Sequence, residues 1–532
     1  MISAKIANKI WIASQLRDSH SFHENCFHLQ AAQSQKLKNY INSNSATQFG
    51  KQFKFHSINS YSDFQKLVPI HEWEDIEPWV SLIKKGDQNI LTKQHVELFE
   101  ETSGTSSFSK LIPYTATLKK EIQQGVGAWM VALFKNNRAA FEGSAYWSIS
   151  PPLKKKENTI GGIPIGIEDD KDYFNHVTKF LLNKIIAVPS EIKSETNVDL
   201  FYSRTFEHLL LKEDLSFISV WSPTFFLQMD NFMKHHKTEL LEILIKKKGN
   251  KNKRIQFLKE RLSSDFSWKD IWPQLNVLSC WTDAQSALWI DNVKEVAGAV
   301  YIQGKGLLST EGISSIPILK DRSPVLSVNS HFYEFRDTDS NEIFLAQQLK
   351  KNAVYEIILT TGGGLYRYAS ADLIEVDGFH GDAPSFKFLG RKNNQSDLVG
   401  EKLSEVHVLK AVLAAFDSLL SKIELAFVYP VMSNQNKLHY GLYIESKEGQ
   451  QPEINNNLLR VTSKVESILM ENPYYKTALD LKQLSSMEGH LLEPGFKEKD
   501  KDYLHTHFNI KDGNIKIPVL FKKESLKTIL AV

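Results

Sequence analysis

The chain has 532 residues, too many for one ordinary hydrophobic core, so two or more domains are expected. A net charge of +2 gives no bulk electrostatic reason to bind nucleic acid, and two cysteines, Cys26 and Cys280, do not make a disulfide framework. No apolar run reaches the length of a membrane span, and the N-terminus "MISAKIANKIWIASQLRDSH" lacks a signal peptide's apolar core. A cytoplasmic protein with no membrane or nucleic-acid partner is therefore expected.

In chain order, the first ~45 residues read as helical, with Trp11, Leu16 and Phe22 as candidate core contacts. Val68-Pro69-Ile70 ends a helix, because the residue before proline avoids the helical region. Val96 to Glu101 reads as a strand. After Thr115 a helix is marked by Leu118, Ile122, Val126, Trp129, Met130 and Leu133. Between them lies "TSGTSSFSKLIPYT", so this region reads as strand, Ser/Thr/Gly loop, helix. "FISVWSPTFFLQMDNFMKHH" joins a strand to a helix across Ser222-Pro223, and "QLNVLSCW" and "KEVAGAVYIQGKGLLSTEG" read as strands with turns. "VYEIILTTGGGLYRYASADLIEV" has the pattern of a hairpin turning at Gly362–Gly364. A polar break near Arg391 to Val399 precedes a helix and two strands, which marks a small α+β domain. "KKKGNKNKR" reads as a solvated loop. "HSFHENCFH" spreads His20, His23, Cys26 and His28 over more than one helix face, a poor arrangement for a metal.

Five stretches carry possible chemistry, each with a plainer reading beside it. A Ser/Thr/Gly loop before a helix can aim N–H groups at an anion, with Lys110 adding charge; most such clusters are simple loops, and the Walker pattern is absent. Glu311 in "LLSTEG" could hold Mg²⁺, or be a turn glutamate. Asp372 could accept both ribose hydroxyls, or be a turn aspartate. Arg391-Lys392 stands at the polar break, and Lys516 lies near the C-terminus in "GNIKIPVL".

The order of these stretches resembles the GH3 acyl-acid amido synthetases, a branch of the adenylate-forming enzymes that includes acyl-CoA ligases and luciferases. "TSGTSSFSKLIPYT", "FISVWSPTFF", "LLSTEG", "HFYEFRD", "LYRYASADLIEV", "FKFLGRK", "EKLSE", "EPGFKEKD" and "IKIPVL" follow the family's order over almost the whole chain. The resemblance implies an α/β fold: a large N-terminal ATP- and acyl-binding domain, residues 1–392, with β-sheets and flanking helices, and a small mobile α+β domain, residues 393–532. It implies that ATP and Mg²⁺ are used to adenylate a carboxylic acid, whose acyl group then passes to an amino acid, in a monomeric enzyme. Carried over residue by residue, Ser103, Gly104, Thr105 and Ser106 would cradle phosphates. Thr310 would lie by the α-phosphate, and Glu311 would hold Mg²⁺. Phe332 or Tyr333 would stack near adenine, and Asp372 would grip ribose. Arg391 and Lys402 would act near the hinge, and Lys516 would be the catalytic cation of the small domain. The helix after Thr115 and the region of Trp221 and Ser222 would line the acyl pocket. Two departures stand out: Ala371 replaces the family's usual glycine before the ribose aspartate, and Val519 replaces an arginine after Pro518. An acyl-CoA ligase, a silent nucleotide- or acid-binding protein, and an ADP-forming phosphotransferase are the alternatives.

Overall fold

The computed structural model describes residues 3–102, 110–147, 157–166, 176–195, 197–392, 394–432, 438–497, 499 and 518–521. The chain divides into two compact units, Met1–Trp281 with Lys294–Phe388, and Thr282–Val293 with Leu389–Val532. The second unit thus takes in Thr282–Val293, a segment that sequence reading leaves with the larger part. Side chains bind it there: Gln285 donates to Glu405, and the Lys497 ammonium lies 4.2 Å from the Trp289 ring centre.

The larger unit begins with helices Ala4–Phe27 and Leu29–Asn44. Trp11 and Phe22 are buried as expected, whereas Leu16 is half exposed and is not a core residue. The first of these helices packs on helix Ala116–Asn136, which runs through the centre of the unit. That central helix does not follow the Ser/Thr/Gly loop directly. Strand Leu111–Thr115 intervenes and pairs antiparallel with Val96–Glu101, and Thr102 N–H donates to Lys110 O at 2.9 Å beside the pair. The expectation of a strand-to-helix turn is therefore corrected: five strand residues separate the loop from the helix N-terminus. Pro113 is tolerated because its strand lies at the sheet edge.

A four-stranded sheet follows, in the order Ser144–Trp147, Leu215–Ser219, Val277–Cys280, Tyr301–Gly304, with all three pairings parallel. The strands are short and largely buried, as parallel strands covered on their faces must be. "KEVA" proves to be the end of helix Ile290–Ala297 rather than a strand, and the strand begins only at Tyr301. A seven-stranded sheet contains the predicted hairpin, Val354–Thr360 and Tyr368–His380. The three glycines form its tight turn: a Cβ on Gly362 would lie 2.4 Å from Thr117, and one on Gly363 would lie 2.6 Å from the Pro113 carbonyl. "KKKGNKNKR" spans the end of helix Lys237–Lys248, a short connection over residues 249–252 and the start of helix Lys253–Arg261, and its Arg254 is buried, donating to the carbonyls of Leu210 and Ile271.

In the smaller unit, strands Ile423–Met432, Leu438–Ser446 and Glu488–Leu491 form one sheet, and helices Glu405–Phe416 and Gln451–Leu469 pack together. Val428 pairs with the segment at Val519–Phe521 through Val428 N–H to Val519 O, 2.8 Å. Among the described residues, no helix is long and apolar enough to cross a membrane.

Candidate active site

Glu311 sits in a turn closed by the bridge between Leu308 and Ile313. Three groups hold this turn. The Tyr114 hydroxyl donates to the Thr310 carbonyl at 2.7 Å, the Tyr333 hydroxyl donates to the Ile313 carbonyl at 2.7 Å, and Ile313 N–H donates to His331 Nε2 at 3.0 Å. Gly312 is obligatory here, since a Cβ would lie 2.4 Å from that same His331 nitrogen. The Glu311 carboxylate is 4% exposed and has no hydrogen bond or ion pair among the described residues. A buried charge without a partner is costly, so this donor set fits a bound cation.

Behind the turn lies a saturated network. His331 Nδ1 donates to Glu121 at 3.0 Å; the same carboxylate accepts from the Tyr40 hydroxyl at 2.5 Å and from Gly362 N–H at 3.0 Å. Because Ile313 donates to Nε2, the His331 proton belongs on Nδ1. Burial holds its pKa below the ordinary 6.5, against the opposing pull of Glu121. One carboxylate on the central helix thus ties the Glu311 turn to the glycine turn.

Asp372 is buried and is set by a β-bulge. Between the pairs Leu373–Glu356 and Ala369–Ile358, three residues oppose the single Ile357. Ala371 takes φ +63° there, a left-handed conformation that favours glycine. This explains why the family's pattern has glycine at this point, and shows that alanine keeps the geometry at some strain. The Ser370 hydroxyl donates to Ile357 O at 2.9 Å and fixes the bulge.

The remaining expected site residues fall out differently. Ser103, Gly104, Thr105, Ser106 and Lys516 lie outside the described residues. Lys110, next to that loop, donates to the Tyr368 hydroxyl at 3.1 Å and lies 5.7 Å over the Trp73 ring. Phe332 and Tyr333, expected beside adenine, are both buried in the core. Phe332 packs on Phe64, and Tyr333 has no exposed surface on which a base could stack. Tyr333 instead holds the Glu311 turn. Ser222 spends its hydroxyl as the N-cap of helix Pro223–His235, whereas Trp221 is half-buried and stays available to a pocket. In the smaller unit Lys402 is exposed with φ +46°, directly after a buried Glu401 that accepts from Leu398 and Val399 N–H at 2.8 Å. Arg391 is exposed at its strand end. Val519 is buried, its N–H donating to Glu405 at 3.0 Å, so the departure from arginine leaves backbone contacts in place. Sequence reasoning assigned no role to Tyr114, Glu121 and His331: Tyr114 and His331 lie inside quoted motifs, "TSGTSSFSKLIPYT" and "HFYEFRD", but only packing shows that they hold the Glu311 turn, and no motif marked Glu121.

The histidines of "HSFHENCFH" disperse: His23 meets His380 at 3.3 Å, His20 meets Glu24, and Cys26 is buried. Among the described residues, the group of three that could hold a metal is His439, Glu488 and His490 in the smaller unit.

Models of the GH3 family's N-terminal, central and C-terminal domains match residues 18–302, 324–391 and 406–525. The indole-3-acetic acid-amido synthetase GH3.4 of Arabidopsis thaliana is 24% identical over 462 residues, covering 78% of this chain and 76% of that protein. The 4-substituted benzoates-glutamate ligase GH3.12 of the same organism is 22% identical over 465 residues, 80% of each chain. The solved AtGH3.15 acyl acid amido synthetase in complex with 2,4-DB matches with a TM-score of 0.83 at 20% identity, over 96% of this chain and 95% of that one. A 2-hydroxyisobutyryl-CoA ligase in the postadenylation state matches with a TM-score of 0.55 at 10% identity, over 94% and 90%. The fold is therefore that of adenylate-forming enzymes, with a larger α/β N-terminal part and a smaller C-terminal part. With three consecutive family models covering most of its length, the chain belongs to the GH3 family.

Proposed function

We propose that this chain is an acid–amino acid ligase that works through an acyl-adenylate. A carboxylate oxygen attacks the α-phosphorus of ATP, the bond to the β-phosphate oxygen breaks, and pyrophosphate leaves. The amino group of an amino acid then attacks the acyl carbon, the acyl–oxygen bond to AMP breaks, and the amine gives up a proton as the amide forms. Activation is needed because oxide is a far poorer leaving group than AMP. The observation that carries this reading is the buried, unpartnered Glu311 carboxylate, held in a turn by Tyr114, Tyr333 and His331. The kinship with proteins named as amido synthetases and a glutamate ligase favours an amine acceptor over coenzyme A.

In this reading Glu311 holds Mg²⁺, which when bound neutralises charge on the phosphates. Asp372 accepts hydrogen bonds from the ribose hydroxyls. Thr310 faces the α-phosphate, and residues 103–106 bind the outer phosphates. Trp221 lines the acid pocket of the larger unit. Arg391, Lys402 and Lys516 supply positive charge, with Lys516 the cation of the adenylation step. The protein acts as a monomer in the cytoplasm, on small molecules alone. The test is product analysis with ATP, Mg²⁺, a panel of acids and a panel of amino acids. AMP, pyrophosphate and an amide support the reading. A thioester formed with coenzyme A would make it an acyl-CoA ligase, ADP with phosphate would make it a phosphotransferase, and binding without turnover would make it a silent binding protein.

A further inference from the structure

The sheet of the smaller unit gathers two imidazoles and a carboxylate on one face. Strands Leu438–Ser446 and Glu488–Leu491 run parallel, with Gly441 opposite Glu488 and Tyr443 opposite His490. Residues two apart along a strand share a face, as do residues in register across a pair. His439, Gly441, Tyr443, Glu488 and His490 therefore stand on the same side. The other side is closed by helix Gln451–Leu469, since a Cβ on Gly489 would lie 2.4 Å from Thr462 Oγ1. Glu488–Leu491 is a short strand at the sheet edge, paired on one side only.

Gly441 makes the room. A Cβ there would lie 2.7 Å from Tyr443 Cε2 and 3.2 Å from His490 Cδ2, so the missing side chain lets the His490 ring lie across the strand. Tyr443 stacks on that ring, with 4.7 Å between centroids and 21° between planes, and fixes its orientation. His439 is 3% exposed, and its Nε2 has no hydrogen-bond partner among the described residues; the Nε2 of His490 is likewise buried and unpartnered. The Glu488 carboxylate lies 3.6 Å from the first nitrogen and 4.0 Å from the second, too far for hydrogen bonds. Buried polar atoms in native proteins are nearly always paired, so two orphan nitrogens flanking one carboxylate point to a shared partner. One ligand atom from each residue lies within 4.8 Å of the other two. Bonds of ~2.1 Å in a tetrahedral site hold ligand atoms about 3.4 Å apart, so a small contraction brings the three around one ion.

We propose that His439, Glu488 and His490 form a metal site of the smaller unit, for a divalent ion of the zinc class. Two imidazoles and one carboxylate suit Zn²⁺, whereas the Mg²⁺ assigned to Glu311 prefers oxygen ligands. Three protein ligands leave a fourth position, and the Glu488 side chain is 61% exposed, so a water completes the set from the solvent side. Phe427, Tyr429 and Tyr443 form an apolar cluster on the same face and make a dry wall beside the ion. Two of the ligands stand on the edge strand and one on its neighbour, so the ion clips Glu488–Leu491 to the sheet. The site does not depend on the ligase reading.

The experiment is calorimetric titration of Zn²⁺ into the full chain, stripped by chelator and held in excess Mg²⁺, for the parent, His490→Gln and Glu488→Gln. Both positions reach the surface, so the metal-free variants are expected to unfold at the parent's urea midpoint. The parent should show a Zn²⁺ site that Mg²⁺ does not fill. His490→Gln should weaken it by about 100-fold and Glu488→Gln by about tenfold, since even the partners behind a ligand are worth 10–100-fold. Zn²⁺ should raise the urea midpoint of the parent more than that of either variant. Co²⁺ in place of Zn²⁺ should give the parent the visible absorption of a tetrahedral site, and His490→Gln should lose it. No Zn²⁺ uptake by the parent, or uptake of equal affinity in all three chains, overturns the site. If a variant proved unstable without metal, the parent's Co²⁺ spectrum alone would decide, and the lack of a tetrahedral band would overturn the proposal.

Discussion

Two regions of the larger unit bury carboxylates, and they treat them in opposite ways. Near Val68, Glu334 receives Arg367 through two bonds of 2.8 Å and the Tyr61 hydroxyl at 2.8 Å, while the same guanidinium reaches the Val68 carbonyl at 2.8 Å. Every strong donor there has an acceptor, so the cluster is architecture. In the Thr310–Gly312 turn, Glu311 is buried almost as deeply and has no partner among the described residues. The two carboxylates differ in hydrogen-bond satisfaction rather than in burial, and it is the unsatisfied one to which the proposed function gives a role.

That contrast can be broken from the saturated side first. Arg367→Ala leaves Glu334 charged and buried, and should destabilise the larger unit by about 3–5 kcal/mol, read as a lowered denaturant midpoint. If stability changed by less than about 1 kcal/mol, the pair would be peripheral. Next is the bulge. Asp372→Asn should weaken ATP binding by about 1.5–3 kcal/mol, seen as a raised KM with kcat less affected, since the ribose contact changes little as the α-phosphate reacts. An unchanged KM for ATP would remove Asp372 from the nucleotide site.

The His331 network gives a pH dependence. Burial depresses its folded pKa below 6.5, so the unfolded chain takes up a proton that the folded chain resists. Stability is therefore full above pH 6.5 and is lost as pH falls below it, by at most about 1.4 kcal/mol per pH unit from this one group. His71, also lowered chiefly by burial, adds to the slope. His331→Gln should flatten the loss between pH 6.5 and 5, measured by urea unfolding at each pH; an unaltered slope would place the acid sensitivity elsewhere. The smallest effect is expected at Ala371. Its φ of +63° suits glycine, so Ala371→Gly should stabilise by up to about 1 kcal/mol, less the backbone entropy that glycine loses, and leave the KM for ATP unchanged.

Much of the fold was legible in the sequence because periodicity and turn chemistry act locally. The hairpin across Gly362–Gly364, the strand Val277–Cys280 and the α+β pattern after residue 392 follow from such signals. Strand Leu111–Thr115 was missed because five residues containing a proline look like a break, and only pairing with Val96–Glu101 makes them a strand. The strand expected from Lys294 starts only at Tyr301, and residues 294–297 close helix Ile290–Ala297, whose short run is fixed by packing rather than by pattern. For the site, the ordered motifs pointed to Glu311 and Asp372, both buried. They also suggested Phe332 and Tyr333 as stacking rings, since exposure cannot be read from an aromatic in a strand. Glu121 and His331 join segments 210 positions apart, and no local pattern records such a contact.

The most direct measurement is Glu311→Gln, assayed for both unfolding free energy and acid-dependent pyrophosphate exchange. The substitution keeps the volume and removes only the charge. A carboxylate kept for chemistry should leave stability unchanged or slightly raised, while exchange falls by about 10²–10³ and loses its dependence on Mg²⁺ concentration. Full exchange with an unaltered Mg²⁺ titration, or a loss of stability like that of Arg367→Ala, would contradict the account.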